Sequence, residues 1–123
     1  MTILEAMNRM DAREHNVCPR EQKVQWLGQL DALVMEDVIR THEGGITTAF
    51  RAYDGDTPLD TRLLVPAPFE EMYLHYMLAQ LHYHNGEYDR YNRAMEQFRA
   101  VWDAFVNFYN RTHTPLGQRY RYF

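Results

Sequence analysis

The chain has 123 residues, a single cysteine and a formal net charge of −4. One domain is the expectation at this length, with roughly two-thirds of the unfolded surface buried on folding. Hydrophobic residues make up 46% and aromatic residues 14%, with nine tyrosines and six phenylalanines, which excludes a disordered chain. No run approaches the roughly 20 apolar residues of a membrane span, and no basic-then-apolar secretory pattern opens the chain, so no membrane partner is expected. Cys18 has no partner for an internal disulfide, which fits a reducing compartment. The acidic balance argues against general or sequence-specific affinity for nucleic acid, because that needs clustered Lys and Arg. The two basic places, Arg90/Arg93 and Arg119/Arg121, are small.

Taken in order, Thr2 and Glu5 form a capping-box pattern. Ile3, Met7 and Met10 then share a face of a short amphipathic helix ending near Arg13, and Asn16-Val17-Cys18-Pro19 breaks it. A second helix is predicted from Pro19 or Arg20 to about Thr41. Val24, Leu27, Leu30, Val34 and Val38 line one side of it, with Trp26 and Leu33 beside them, and Gly44-Gly45 ends it. Asp31 falls at the edge of that apolar side, where a carboxylate persists only when paired, so it reads as a structural group bonded to a Tyr, an Arg or a backbone N–H.

The helical period is absent from residues 43–67. Ile46 to Tyr53 suits a short extended segment, and Asp54-Gly55-Asp56-Thr57-Pro58 is turn chemistry. Connections of that length are usually functional or partly disordered. Asp54, Asp56 and Asp60 lack the ligand alternation, central Gly and terminal Glu of a calcium loop, so no metal is assigned there.

Residues 66–113 read as an antiparallel helical hairpin turning at Asn85-Gly86. Pro68 suits the first turn of its first helix, with Glu70 and Glu71 at the positive end of the helix dipole. Met72, Tyr76, Ala79 and Tyr83 form one stripe, and Leu74, Leu78 and Leu81 another, so this helix must be covered from two sides. Gly86 takes the left-handed conformation that ends a helix. In the return helix Tyr91, Met95, Phe98, Trp102, Phe105 and Tyr109 share one side, and Tyr88 to Thr112 spans about 37 Å at about 1.5 Å per residue. Thr114-Pro115-Leu116-Gly117 stops it and leads to an arm, within residues 114–123, that alternates Arg119, Tyr120, Arg121, Tyr122 and Phe123. The fold class expected is therefore all-α: a short first helix, a long second helix, a long hairpin and a long irregular connection.

Catalytic and cofactor chemistry have no foothold in these residues, so no enzyme and no cofactor are expected. His82 and His84 point in different directions on a helix, His75 is two turns from His82, and no zinc-ligand spacing appears. Cys18 has no adjacent base. An enzyme using His82 or His84 with Asp31 would need those side chains in one pocket.

The run Asn85-Gly86-Glu87-Tyr88-Asp89 resembles the corner of a tetratricopeptide repeat. Bulky Tyr91 stands where that repeat needs a small residue, and no second copy follows about 34 residues away. A longer resemblance covers most of the chain. Trp26-Leu27, Leu30-Asp31, Leu63-Leu64-Val65-Pro66-Ala67-Pro68-Phe69, Asn85-Gly86-Glu87-Tyr88, Tyr91-Asn92, Phe98, Phe105 and Tyr109-Asn110-Arg111-Thr112 resemble small helical head-tail connector, or adaptor, proteins of prophages in Gram-positive bacteria. This resemblance implies a structural subunit that forms a homo-oligomeric ring beneath the portal and joins capsid to tail or neck proteins. It implies the host cytoplasm during assembly and then the virion neck as its location. No catalytic residues transfer. From the residues themselves, Phe50 and Tyr53 of the connection and Arg119, Tyr120, Arg121, Tyr122 and Phe123 of the arm are the candidate interface. A competing reading is a small peptide-binding adaptor with a groove near Tyr73, Tyr76 and Tyr91.

Overall fold

Four α-helices, α1 (Ile3–Arg13), α2 (Arg20–Asp37), α3 (Glu71–His84) and α4 (Tyr88–Thr112), make up the regular structure of the computed structural model, which describes residues 1–45, 49–114 and 116. No strand occurs among the described residues. The fold is all-helical, as the periodicity implies. No described helix is long and apolar enough to cross a membrane.

α1 starts where the Thr2 hydroxyl accepts the Glu5 backbone N–H at 3.2 Å, and it buries Ile3, Ala6, Met7 and Met10 against α2 and α3. Its first-turn N–H groups have no partner within the helix. The central connection supplies them: Ile3 N–H donates to the Thr61 carbonyl at 3.1 Å and Leu4 N–H to the Leu59 carbonyl at 3.0 Å. Leu63 N–H returns a bond to the Met1 carbonyl at 2.9 Å, so residues 59–63 lie along the start of α1.

α2 ends earlier than the periodicity predicts. Regular helix stops at Asp37, and a single 3₁₀ turn, Ile39–Thr41, follows. The Val38 carbonyl explains the break. It accepts the Thr41 hydroxyl at 2.7 Å and faces His42 Nδ1 at 2.6 Å, partners that compete with a continuing helical ladder. Trp26 is buried as expected, whereas Leu33 is 45% exposed.

The hairpin turns where Gly86 has φ +73°, with open space around the position of a Cβ. Pro68 departs from the prediction. It follows a cis Ala67–Pro68 peptide in a turn before α3, not in the helix's first turn. The Phe69 N–H bonds to the Pro66 carbonyl at 3.0 Å, and this turn sets the Phe69 ring on Phe105 and Phe108 of α4, at 5.7 and 5.2 Å between centroids.

α3 is the central element. It packs on α1, α2 and α4, which accounts for its two apolar stripes. Met72, Tyr73, Met77 and Ala79 are fully buried. α4 lies along α3, and at its far end the ring of His42 is wedged edge-on against Tyr109 at 4.6 Å, with Nε2 2.7 Å from the Asn110 amide.

Candidate interaction site

Three features compete for functional attention: a buried carboxylate under the central connection, an apolar flank on α4, and a cleft at the hairpin's turning end.

Asp31 projects from α2 and is completely buried. Its Oδ2 accepts the Tyr53 hydroxyl at 2.5 Å and the Leu64 N–H at 3.1 Å, while Oδ1 accepts the Tyr73 hydroxyl at 2.6 Å. The Tyr73 oxygen in turn accepts the Val65 N–H at 2.7 Å. One side chain thereby ties two parts of the long connection to α2 and α3. Burial pushes the Asp31 carboxyl above the usual carboxylate range, and its three hydrogen bonds oppose that shift without cancelling it. Burial also raises both tyrosine hydroxyls, with the neighbouring carboxylate adding to the shift, so both remain donors. This is the structural carboxylate the sequence implies. Neither His82 nor His84 is among its hydrogen-bond partners: His82 Nδ1 lies 3.9 Å from Glu87, and the His84 ring sits 6.0 Å from that of Trp26.

The same geometry places Tyr53. Its hydroxyl turns inward to Asp31, and its ring meets Phe50 edge-on at 5.7 Å, with both residues half-buried. Gly28 permits this approach, because a Cβ there would lie 3.2 Å from the Tyr53 backbone nitrogen. Residues 49–53 carry no strand pairing, and Ile46 to Thr48 lie outside the described residues, as do Arg119 to Phe123 of the arm. The Asp54 to Thr57 stretch is a turn as predicted: Asp54 Oδ1 accepts the Asp56 N–H, and the Thr57 hydroxyl accepts the Asp54 N–H, each at 2.8 Å. No group of three metal-ligating side chains occurs among the described residues.

α4 has 25 residues, of which only Ala94, Phe98 and Phe105 are buried. Met95, Trp102 and Val106, spaced by seven and four, form a half-buried flank beside that seam. Near the turn, Tyr83 is 56% and Tyr88 60% exposed, and the Tyr83 ring packs on Tyr88 and Tyr91 at 5.8 and 5.3 Å. Tyr73, by contrast, is wholly buried. A peptide groove built on Tyr73, Tyr76 and Tyr91 is therefore not present in that form.

The cleft, of about 550 Å³, opens where the α1–α2 connection meets the end of α3. Trp26, Leu81 and Cys18 supply its apolar wall, and Asn16, Gln22 and His84 polar groups. Asn16 shapes the rim: its side chain accepts the Cys18 N–H at 3.2 Å and donates to the Glu14 carbonyl at 2.9 Å. Beside it, Val17 is 95% exposed. Burial foremost raises the Cys18 thiol, so the thiolate is disfavoured. This cleft escapes a sequence reading because its residues come from separate segments. The one signal is an apolar Val-Cys-Pro break where a polar connection would serve.

Comparison of the chain with family models, curated proteins and solved structures gave no match.

Proposed function

We propose that the chain is a structural subunit of a phage or prophage head-to-tail connector, self-associating and binding the portal so as to join capsid and tail. The reading begins with the sequence resemblance, and one observation in the fold supports it most. α4 is about 37 Å long and packs chiefly on α3, leaving Met95, Trp102 and Val106 on a flank that no described helix fully covers. A helix so long and so lightly buried suits a subunit whose remaining apolar surface meets neighbours in an assembly. Ring formation by a head-to-tail contact uses two different patches per subunit, and the flank and the opposite ends of the hairpin offer them. On this reading the protein acts in the host cytoplasm during assembly and then in the virion neck.

The tip cleft favours a second reading, a peptide-binding adaptor, which requires a stable monomer holding a partner segment. Light scattering across a concentration series, followed by co-sedimentation with a purified portal ring, separates the two. Oligomers at low micromolar concentration, or portal-dependent co-sedimentation, support the connector. A strict monomer that ignores the portal overturns it.

A further inference from the structure

We propose that the tip cleft is the receptor for the arm residues Arg119–Phe123 of a second copy of this chain, which makes the subunit contact head-to-tail. The inference rests on the assembly reading and deepens it by naming the two surfaces that meet.

Position supplies the first argument. Cleft residues Leu81, His84 and Asn85 end α3, and Trp26 comes from the first half of α2. The arm departs from the other end of the hairpin, beyond Thr112, where His42 holds Asn110 and Tyr109. α4, whose 25 residues span about 37 Å, runs from the cleft end of the hairpin to the arm end. Nine residues separate Thr114 from Phe123, and a segment of nine spans at most about 32 Å when fully extended. Arg119, five residues on, reaches at most about 18 Å. Arg119 of a subunit therefore falls short of its own cleft, which only the last residues of a fully extended arm approach, whereas the arm of a neighbour stacked end to end can offer the whole Arg119–Phe123 segment.

Chemistry supplies the second. The cleft volume of about 550 Å³ falls within the roughly 300–1,000 Å³ typical of sites that enclose a ligand. Its wall combines indole, leucine and thiol surface with amide and imidazole groups, and no carboxylate or ammonium of the described residues lines it. Such a lining matches tyrosine and phenylalanine, whose rings take the apolar wall while a phenolic hydroxyl bonds to Asn16, Gln22 or His84. The arm carries Tyr120, Tyr122 and Phe123 within four residues. Two different patches joined this way give a heterologous contact, which closes into a ring when the rotation per subunit permits.

Cys18 provides the readout, being the sole cysteine and part of the cleft wall. The rate of thiol labelling at one fixed pH is measured on the full chain across a concentration series, and on a chain ending at Leu116 with and without a synthetic Thr114–Phe123 peptide. Labelling of the full chain should slow as it associates. Peptide at about ten times its dissociation constant should slow labelling of the shortened chain about tenfold, by occupancy alone. Gln22→Trp, which fills the cleft from a half-buried position, should abolish self-association. Mixing it with the shortened chain should restore one heterodimer, because one partner keeps the arm and the other the cleft. Peptide binding to the unsubstituted cleft keeps the test valid should Gln22→Trp fold poorly. Self-association that survives loss of the arm, or that leaves Cys18 labelling unchanged, overturns this proposal while the assembly reading stands. Cys18 protected by the arm in a dilute monomer places the arm in its own cleft and also overturns it. A monomer at every concentration that neither binds peptide nor joins the portal overturns both.

Discussion

Replacing Asp31 by Asn tests whether one buried carboxylate holds the central connection in place. Asp31 accepts three bonds, from Tyr53, Leu64 and Tyr73. Asn offers one oxygen and one NH₂ in the same outline. With its nitrogen at Oδ2, the Leu64 N–H faces another donor and is orphaned. With its nitrogen at Oδ1, the Tyr73 oxygen receives both that group and the Val65 N–H, so the Tyr73 proton has nowhere to go. Each arrangement strands at least one buried donor, at about 1–3 kcal/mol. Ala strands all three donors and leaves a void, so it should cost at least about 3 kcal/mol. Urea unfolding at neutral pH measures both. Because burial raises the folded-state pKa of Asp31, the native state holds this proton more tightly than the unfolded chain does. Its contribution is fully present below the ordinary carboxylate pKa and is lost as pH rises through the raised folded value. The stability gap between wild type and Asn should therefore widen on acidification through that window and stay flat above it. An Asn variant as stable as wild type at neutral pH, or a gap that narrows on acidification, refutes this account.

Gly86→Ala should cost about 1 kcal/mol in thermal or urea unfolding, because φ is +73° and nothing nearby offsets the strain. Gly28→Val should cost about 1–3 kcal/mol by overpacking against Tyr53, and raise the solvent exposure of that tyrosine in ultraviolet difference spectra. His42→Ala removes the ring that faces both the Val38 carbonyl and Asn110, and should cost about 2–4 kcal/mol, with faster amide exchange in the last turns of α4. Met95→Lys with Val106→Lys should weaken self-association in light scattering while costing the monomer about 1–3 kcal/mol in urea unfolding, since both residues are half-buried against the core.

The helices were legible because each carries its own period. Ile3, Met7 and Met10 are all buried, the Thr2 cap forms, and Gly86 adopts the predicted backbone. Asp31 was legible as a type, a carboxylate on an apolar face, although its partners were not, because Tyr53, Leu64 and Tyr73 lie 22 to 42 residues away. The failures share that cause. Val38 looked like one more apolar residue of α2 until Thr41 and His42 took its carbonyl. Pro68 suited a helix start by local rule, yet it lies in a turn before α3, from which the Phe69 ring packs on α4. Tyr53 was legible as an aromatic in a loop, and only the fold shows its hydroxyl turned to the core.

The connection bears on the energetics of assembly. Segments that order only on docking draw on interface free energy, at roughly 1–2 kcal/mol per residue fixed. Asp31 anchors this connection at Tyr53 and Leu64, and Met1 with the start of α1 anchors it at Leu59, Thr61 and Leu63, so these residues already have partners within the subunit. Association through α4 and the tip cleft then does not have to order residues 59–64. The Asp31→Asn variant carries that argument further: by loosening the connection it should leave arm binding at the distant cleft unchanged while lowering stability. An affinity of the Thr114–Phe123 peptide that falls in step with stability would show instead that connection and cleft are one cooperative unit.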